Sequence, residues 1–234
     1  MIKKTLALLI IAFLLCSCVV NTNTMLSGTE NKSGRFDTSV QASDFFSVLI
    51  EDLASFSRSD NTGLIYGAVS DFINIVNGCT ASSNVGATKE EGKENYTISF
   101  DFSDLNSLVA QLCKHKDQTV LKVSDGRIDF NLDINNYNFL EEMVPFLKIE
   151  DIAVYGPAYN QDYSQDDYLT MISFIAGDEA PEGILSSYVR INIKLPSAVK
   201  TTNGTVVDKN TVMFEFPLID FLLLHNPINF YCTY

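Results

Sequence analysis

The chain of 234 residues has no tryptophan, two histidines and few basic side chains, with 16 Lys and Arg against 29 Asp and Glu. The formal charge of −13 excludes the clustered positive charge that nucleic acids and anionic lipid surfaces require. Neither His115 nor His225 has a second metal ligand at a suitable spacing on its own element. Phosphate-binding glycine loops, dinucleotide fingerprints and nucleophile elbows are missing from the sequence as well. We therefore predict no cofactor, no nucleic-acid partner and no enzymatic activity.

Cysteine is scarce beyond the N-terminal leader, where Cys79, Cys113 and Cys232 remain. Three thiols cannot all pair within one chain. An exported compartment would allow a Cys79–Cys113 disulfide, and free buried thiols are the alternative. Cys113 and His115 lie two residues apart at a predicted helix end, where their side chains diverge. We interpret that pair as a polar helix terminus rather than as a zinc site or a Cys–His nucleophile.

Long apolar runs are also lacking. A transmembrane helix needs about 20 consecutive apolar residues. The stretch Leu6–Leu15 is too short, and the stretch Phe214–Leu224 contains Glu215, Pro217 and Asp220. The sequence therefore predicts no membrane-spanning helix.

The N-terminal leader is the most informative segment that is present. Lys3 and Lys4 precede the apolar stretch Leu6–Leu15, which is the pattern of a secretory signal. The following Leu15-Cys16-Ser17-Cys18 resembles the bacterial lipoprotein signal, in which a Leu, two small residues and a Cys mark lipidation and cleavage. The resemblance implies that Cys18 carries acyl chains such as palmitate. Cys16 fits less well, because the bulky Leu15 would then precede the cut.

Acyl chains are the predicted means of membrane attachment, since the acidic chain cannot dock on anionic lipid by charge. More than one chain is needed for stable anchoring. The resemblance implies an extracytoplasmic protein that is lipid-anchored to the cell membrane or the outer membrane.

Three regions are expected along the chain. Residues 1–17 form the signal peptide, and residues 18–34 comprise the lipidated Cys18 and a flexible tether rich in Ser, Thr, Asn and Gly. Residues 35–234 form a single domain. It begins with a helical pair, one helix around Phe46–Leu53 and a second around Ile65–Val76 that ends at Gly78.

The rest of the domain mixes strands and helices without strict alternation. Alternating apolar residues predict strands over Tyr96–Phe102, Thr119–Val123, Ile128–Ile134, Ile152–Tyr155, Val189–Leu195, Val212–Phe216 and Ile228–Tyr234. Helical spacing predicts helices over Leu105–Leu112, Phe139–Leu147, Ser164–Ala176 and Leu218–Leu224. Ser103 is the predicted cap of the first, and Ser164 with Asp167 predicts a capping box for the third. The turn Ser124-Asp125-Gly126 predicts a hairpin between the strands on either side of it. Because hairpin turns recur, we predict an α+β fold with a largely antiparallel sheet and helices packed on one face.

The region 189–217 carries a second resemblance. Leu195-Pro196 is followed by the turn Thr202-Asn203-Gly204 and by the strand Val212-Met213-Phe214. This arrangement is similar to the LppM-like domain of bacterial lipoproteins. The resemblance implies an α+β domain that faces the cell envelope, and it brings no catalytic residues.

Four tyrosines cluster around a polar loop over residues 156–164: Tyr155, Tyr159, Tyr163 and Tyr168. Tyrosine combines apolar area with a hydroxyl and is common at recognition surfaces. The cluster predicts a binding surface, and the alternative is that these side chains cover an edge of the core.

The leading functional prediction is a membrane-anchored extracytoplasmic lipoprotein that acts by binding or structural interaction in the envelope, with a protein or lipid partner. A carrier with an internal pocket for lipid or another apolar ligand is the alternative. An extracytoplasmic hydrolase comes third, because no nucleophile–base arrangement stands out in the sequence.

Overall fold

The computed structural model describes residues 20–26, 33–41, 64–91 and 95–234. Cys18 and the predicted helix Phe46–Leu53 lie outside the described residues. The second helix of the predicted pair is confirmed as α1, Leu64–Asn77, which buries Val69 and Val76.

The described strands form two sheets. The larger sheet has the order β3-β4-β2-β1-β7-β10-β9. Its strands are β1 Val20–Leu26, β2 Gly34–Gln41, β3 Ser82–Lys89, β4 Asn95–Phe102, β7 Tyr188–Lys194, β9 Thr205–Asp208 and β10 Thr211–Pro217. Strands β1 and β7 are parallel, and the other neighbours in this sheet are antiparallel.

The smaller sheet has the order β5-β6-β11-β8 and is antiparallel throughout. Its strands are β5 Leu121–Ser124, β6 Arg127–Leu132, β8 Thr201–Thr202 and β11 Ile228–Thr233. Gly126 turns the β5–β6 hairpin at a φ of 69°, a backbone conformation that glycine adopts without steric cost. The predicted hairpin and the predicted last strand are thus confirmed.

Helices connect and cover the strands. Those after α1 are α2 Leu105–Leu112, α3 Tyr137–Met143, α4 Glu150–Ala153, α5 Gln165–Ala176, α6 Ala180–Leu185 and α7 Leu218–Leu223. A 3₁₀ turn over Pro145–Lys148 follows α3. The mixture of helices with largely antiparallel sheets confirms the α+β prediction.

The main core joins α1, both sheets and the helices between them. On β4, the alternating side chains Tyr96, Ile98, Phe100 and Phe102 are all buried, as their spacing predicts. Aromatic contacts connect the two sheets: Phe214 of β10 stacks on Phe230 of β11 with ring centroids 4.3 Å apart. Burial of these alternating side chains is the main stabilising contribution to the fold.

The tether prediction is wrong for residues 20–26. This segment forms β1, which pairs with β2 on one side and with β7 on the other. Its sequence Val-Asn-Thr-Asn-Thr-Met-Leu has no clear apolar alternation, so periodicity did not reveal it. Pairing with two neighbours satisfies the backbone groups of an interior strand, and this tertiary context overrides a composition typical of loops.

Three local predictions need correction. Ile152–Tyr155 is not a strand, because Glu150–Ala153 is helical. The cap of α2 is Asp104 rather than Ser103, since the Asp104 carboxylate accepts a hydrogen bond from the Ser107 N–H at 2.6 Å. Pro145 divides the predicted helix Phe139–Leu147 into α3 and the 3₁₀ turn, because proline lacks the N–H that would continue the helix.

Candidate functional site

A groove of about 350 Å³ opens where β10, α7 and the start of β11 meet. We call it the β10–β11 groove. It is lined by Gln165, Glu215, Phe216, Ile219, Asp220, Leu223, His225, Asn226, Pro227, Ile228, Asn229 and Phe230. All but Gln165 come from one stretch of 16 residues, so one continuous segment supplies most of the lining.

The floor of the groove is apolar and rigid. Phe230 is buried and stacks on Phe214 at 4.3 Å and on Phe130 at 4.5 Å between ring centroids. Phe216 approaches the same ring at 6.2 Å. Such ring pairs contribute about 0.5–1.5 kcal/mol each beyond the area that they bury. The floor is therefore held in place before any ligand arrives.

Helix α7 forms one wall, and its two faces differ. Ile219 and Leu223 are buried against α5 and α6, whereas Asp220 between them is exposed. The helix ends at Leu224, which has a φ of 48° and is buried. A left-handed backbone conformation is energetically costly for a residue with a branched side chain. At Leu224 this conformation reverses the direction of the chain, and the next residue, His225, lines the groove.

The rim is polar. It consists of Gln165, Glu215, Asp220, His225, Asn226 and Asn229. Arg190 of β7 pairs with Glu215 across the β7–β10 ladder and holds that carboxylate at the rim. A ligand would therefore meet hydrogen-bonding groups at the mouth of the groove and aromatic rings below them. This arrangement can hold a small molecule or a peptide side chain.

The structure separates the four predicted tyrosines. Tyr159 is 61% exposed and Tyr163 is 39% exposed, so both are available at the surface. Tyr155 is partly buried and packs against α5 and its neighbours. Tyr168 is 1% exposed and cannot belong to a binding surface. For Tyr168, the alternative interpretation, covering of the core, is the correct one.

Tyr168 has a structural role on α5. Its hydroxyl donates a hydrogen bond to the Tyr155 carbonyl at 2.8 Å, and burial raises the pKa of this phenol. The capping box predicted at the start of the helix is present: the Ser164 hydroxyl accepts from the Asp167 N–H, and the Asp167 carboxylate accepts from the Ser164 N–H. Together these contacts hold the tyrosine loop against α5.

The tyrosine loop and the groove are joined by one side chain. The Gln161 amide donates to the Leu223 carbonyl at the end of α7 at 2.7 Å, and to the Pro157 carbonyl at 2.9 Å. Gln165, four residues further on, lines the groove. The exposed Tyr163 therefore lies on a loop that is attached directly to the groove wall.

The three described cysteines are free and buried, which confirms the free-thiol alternative over a disulfide. Desolvation raises the pKa of all three thiols, to about 11 for Cys113 and for Cys232. A buried thiol with a raised pKa stays protonated near neutral pH and is a poor nucleophile. The geometry thus gives no support to Cys113 acting with His115, whose ring packs on Phe139 at 5.1 Å.

Within the described residues, no group of three His, Cys, Asp or Glu side chains is arranged to hold a metal ion. Among the same residues, no helix is both long and apolar enough to cross a bilayer.

Sequence reasoning missed the groove. The available signal was the pair of acidic residues and the proline inside the otherwise apolar stretch Phe214–Leu224, because charges there mark where a buried segment reaches the surface. His225 was noted only as a histidine without a metal partner. β10 and β11 belong to different sheets, so their juxtaposition depends on packing between the sheets, which no local pattern shows.

Comparison with protein-family models and with curated proteins gives no match to this chain. Among solved structures, the NMR structure of the folded domain of LppM from Mycobacterium tuberculosis is similar over 92% of this chain and 88% of that chain. The two share 9% sequence identity, and the TM-score is 0.36. A likeness this distant carries no conclusion about function.

Proposed function

We propose that this protein is a lipid-anchored extracytoplasmic lipoprotein that acts by binding, and that the β10–β11 groove is its ligand site. The observation that carries the proposal is the combination of a preformed aromatic floor with a polar rim in one groove. Concave sites with an apolar lining and a few polar groups are the usual form of small-ligand sites.

The chemistry of the groove restricts the kinds of ligand that it can bind. Phe216 and the edge of Phe230, whose faces stack on Phe214 and Phe130, offer apolar surface to a ligand. Glu215, Asp220 and Asn229 offer oxygen acceptors around it. The complementary ligand has an apolar face and carries hydroxyl or amino donors at its edge. Asp220 would repel a strongly anionic ligand, whereas the charge of Glu215 is offset by its pair with Arg190.

The anchor is supported by the leader. Its charged start, short apolar stretch and Leu15-Cys16-Ser17-Cys18 sequence resemble a lipoprotein signal. An acidic protein needs such an anchor to remain at a membrane, because charge attraction is not available to it.

Acyl labelling in intact bacteria tests the anchor. We expect Cys18→Ser to abolish incorporation of a fatty-acid probe and to leave the precursor uncut. The matched control Cys16→Ser should retain both acylation and cleavage. If the Cys16 variant lost labelling and the Cys18 variant retained it, Cys16 would be the acylated residue. Labelling of neither natural nor variant protein would overturn the anchor.

Photo-cross-linking tests the groove. A photoreactive amino acid at Asn226, an exposed lining residue, should form an adduct in intact cells that mass spectrometry can identify. The control position is Lys209, which is exposed beyond the groove lining. A small-molecule or peptide adduct at position 226 alone supports a binding site. Equal adducts at both positions, or none at 226, would contradict it.

Two further results would distinguish the carrier and the hydrolase from the proposed function. Adducts consisting of intact lipid would favour the carrier, since a carrier binds the acyl portion of its cargo. Turnover of a bound ester or glycoside that depends on Asp220 or His225 would favour the hydrolase instead.

A further inference from the structure

Helices α5 and α6 form a hairpin with an unusual amount of exposed apolar area. Phe174 is 92% exposed, and Ile175 and Leu185 are each 42% exposed. The opposite side of the hairpin is well packed, with Leu169, Ile172 and Ile184 buried against α7. Single exposed apolar side chains are common, whereas three of them on one packed hairpin indicate a contact surface.

The hairpin lies at the end of the larger sheet at which the chain enters. Helix α6 runs into β7 through Ser187, whose carbonyl accepts a hydrogen bond from the Leu218 N–H at 2.8 Å. Strand β7 then starts beside β1, with Val189 paired to Val20. Because β1 and β7 are parallel, the first residues of both strands meet at this one end of the sheet.

The chain before β1 is too short to separate the sheet from its anchor. Cys18 precedes Val20 by two residues, which span at most about 7 Å. An acyl chain on Cys18 would therefore hold this end of the sheet, with the hairpin beside it, at the bilayer surface.

The charge on the hairpin restricts the kind of lipid. From residue 149 to residue 189 the chain has no Lys or Arg, and the hairpin and its loop carry Asp166, Asp167, Asp178, Glu179 and Glu182. Anionic headgroups would repel this surface, whereas uncharged or zwitterionic headgroups would not.

We propose that Phe174, Ile175 and Leu185 insert into a zwitterionic lipid surface beside the acyl anchor and so fix the orientation of the domain on the membrane. This inference rests on the proposed lipidation of Cys18. Inserted side chains of this kind reach the boundary between headgroups and acyl chains. The insertion turns a protein held by flexible acyl chains into one with a defined face toward the bilayer.

The test uses the mature lipidated protein in phosphatidylcholine vesicles that contain a quencher attached to the lipid acyl chains. A polarity-sensitive fluorophore is attached through Ile175→Cys, which leaves Phe174 in place. The control label is at Val207→Cys on β9, which is 57% exposed. Its neighbour Asp208 pairs with Thr211 at the far end of β10. The protein without added cysteine, treated with the same reagent, measures the background fluorescence from labelling of its buried thiols.

We expect lipid quenching and a blue shift of the emission at position 175, and neither effect at position 207. Adding Phe174→Asp to the labelled Ile175 variant should abolish the quenching; Phe174 is exposed, so the change leaves the fold intact, as circular dichroism would verify. Replacing part of the phosphatidylcholine with phosphatidylglycerol at low salt should weaken the quenching.

Quenching at both positions, or at neither, overturns the proposed orientation, as does stronger quenching with anionic lipid. If neither position is quenched, a basic protein partner becomes the better occupant of the hairpin. Acylation is measured by mass on the same sample. Acylated protein without quenching refutes only this inference, whereas protein without an acyl chain refutes the anchor and this inference together.

Discussion

Single residues illustrate how burial changes chemistry in this protein. Cys232 is fully buried in β11, and Cys113 is 2% exposed at the end of α2. Removal from water disfavours the thiolate, so each pKa is raised to about 11. The presence of these two cysteines is explained by their packing in the core rather than by any reactivity of the thiols.

Stability should therefore fall in alkaline solution. Between pH 9 and pH 11 the unfolded chain loses thiol protons that the folded chain retains, so the free energy of unfolding decreases as the pH rises. Each thiol contributes an effect on the order of 1 kcal/mol. Urea unfolding at pH 8, 9, 10 and 11 measures the decrease.

The variant Cys232→Ala should be less stable at pH 8 and should show a shallower decrease above pH 9. The tyrosines Tyr137 and Tyr168, whose pKa values burial also raises, keep a residual slope in both proteins. Identical slopes in the natural and variant proteins would contradict the assigned role of the buried thiol.

At the scale of elements, the turn between β8 and β9 shows why one glycine is required. A Cβ atom on Gly204 would lie 2.6 Å from two ring carbons of Phe214 and 2.8 Å from the Met213 carbonyl oxygen. The neighbouring Asn203 side chain donates to the Asn229 carbonyl and accepts from the Tyr231 N–H. The turn is thus held against β11 and cannot move away from the ring.

We expect Gly204→Ala to reduce the free energy of unfolding by about 1–3 kcal/mol, because the added methyl group overpacks the Phe214–Phe230 stack. The matched control is Gly86→Ala in β3, where no atom lies within 4 Å of the added Cβ and little change is expected. Thermal and urea unfolding of both variants provide the comparison. Equal stability of the two variants would show that the turn can relax.

Elements with strong periodicity were predicted well, and elements without it were not. The β5–β6 hairpin, β10 and the capped helix α5 follow from alternation, turn residues and the Ser164–Asp167 pair. Strand β3 was missed, because its sequence Ser-Ser-Asn-Val-Gly-Ala-Thr-Lys is polar and its side chains are largely exposed. Helix α6 was missed as well, since six residues contain too few turns to show a period.

For the whole molecule, β1 is the decisive element. It joins the antiparallel set β3-β4-β2 to the set β7-β10-β9, so the larger sheet is continuous only through β1. A polar segment near the start of the chain therefore connects the first and last thirds of the domain. An interior strand contributes ladder hydrogen bonds on both of its sides.

Truncation tests this role. A chain that begins at Val19 should fold, whereas one that begins at Ser33 and lacks β1 should lose the cooperative unfolding transition or be destabilised by several kcal/mol, an effect on the order of losing a core strand. Circular dichroism and urea unfolding would compare the two. Equal stability would restore the prediction of a flexible tether for this segment.

The sequence alone determined the α+β class, most strands and the capped helix, because these depend on residues that are close in the chain. Attachment through Cys18 stays a prediction from the leader. Tertiary structure decided the rest. It placed a loop-like segment inside the sheet, buried Tyr168 while leaving Tyr159 exposed, and brought β10 beside β11 to create the groove. Those outcomes depend on which distant segments pair, and the free energy of such pairing is spread over many residues that no local window contains.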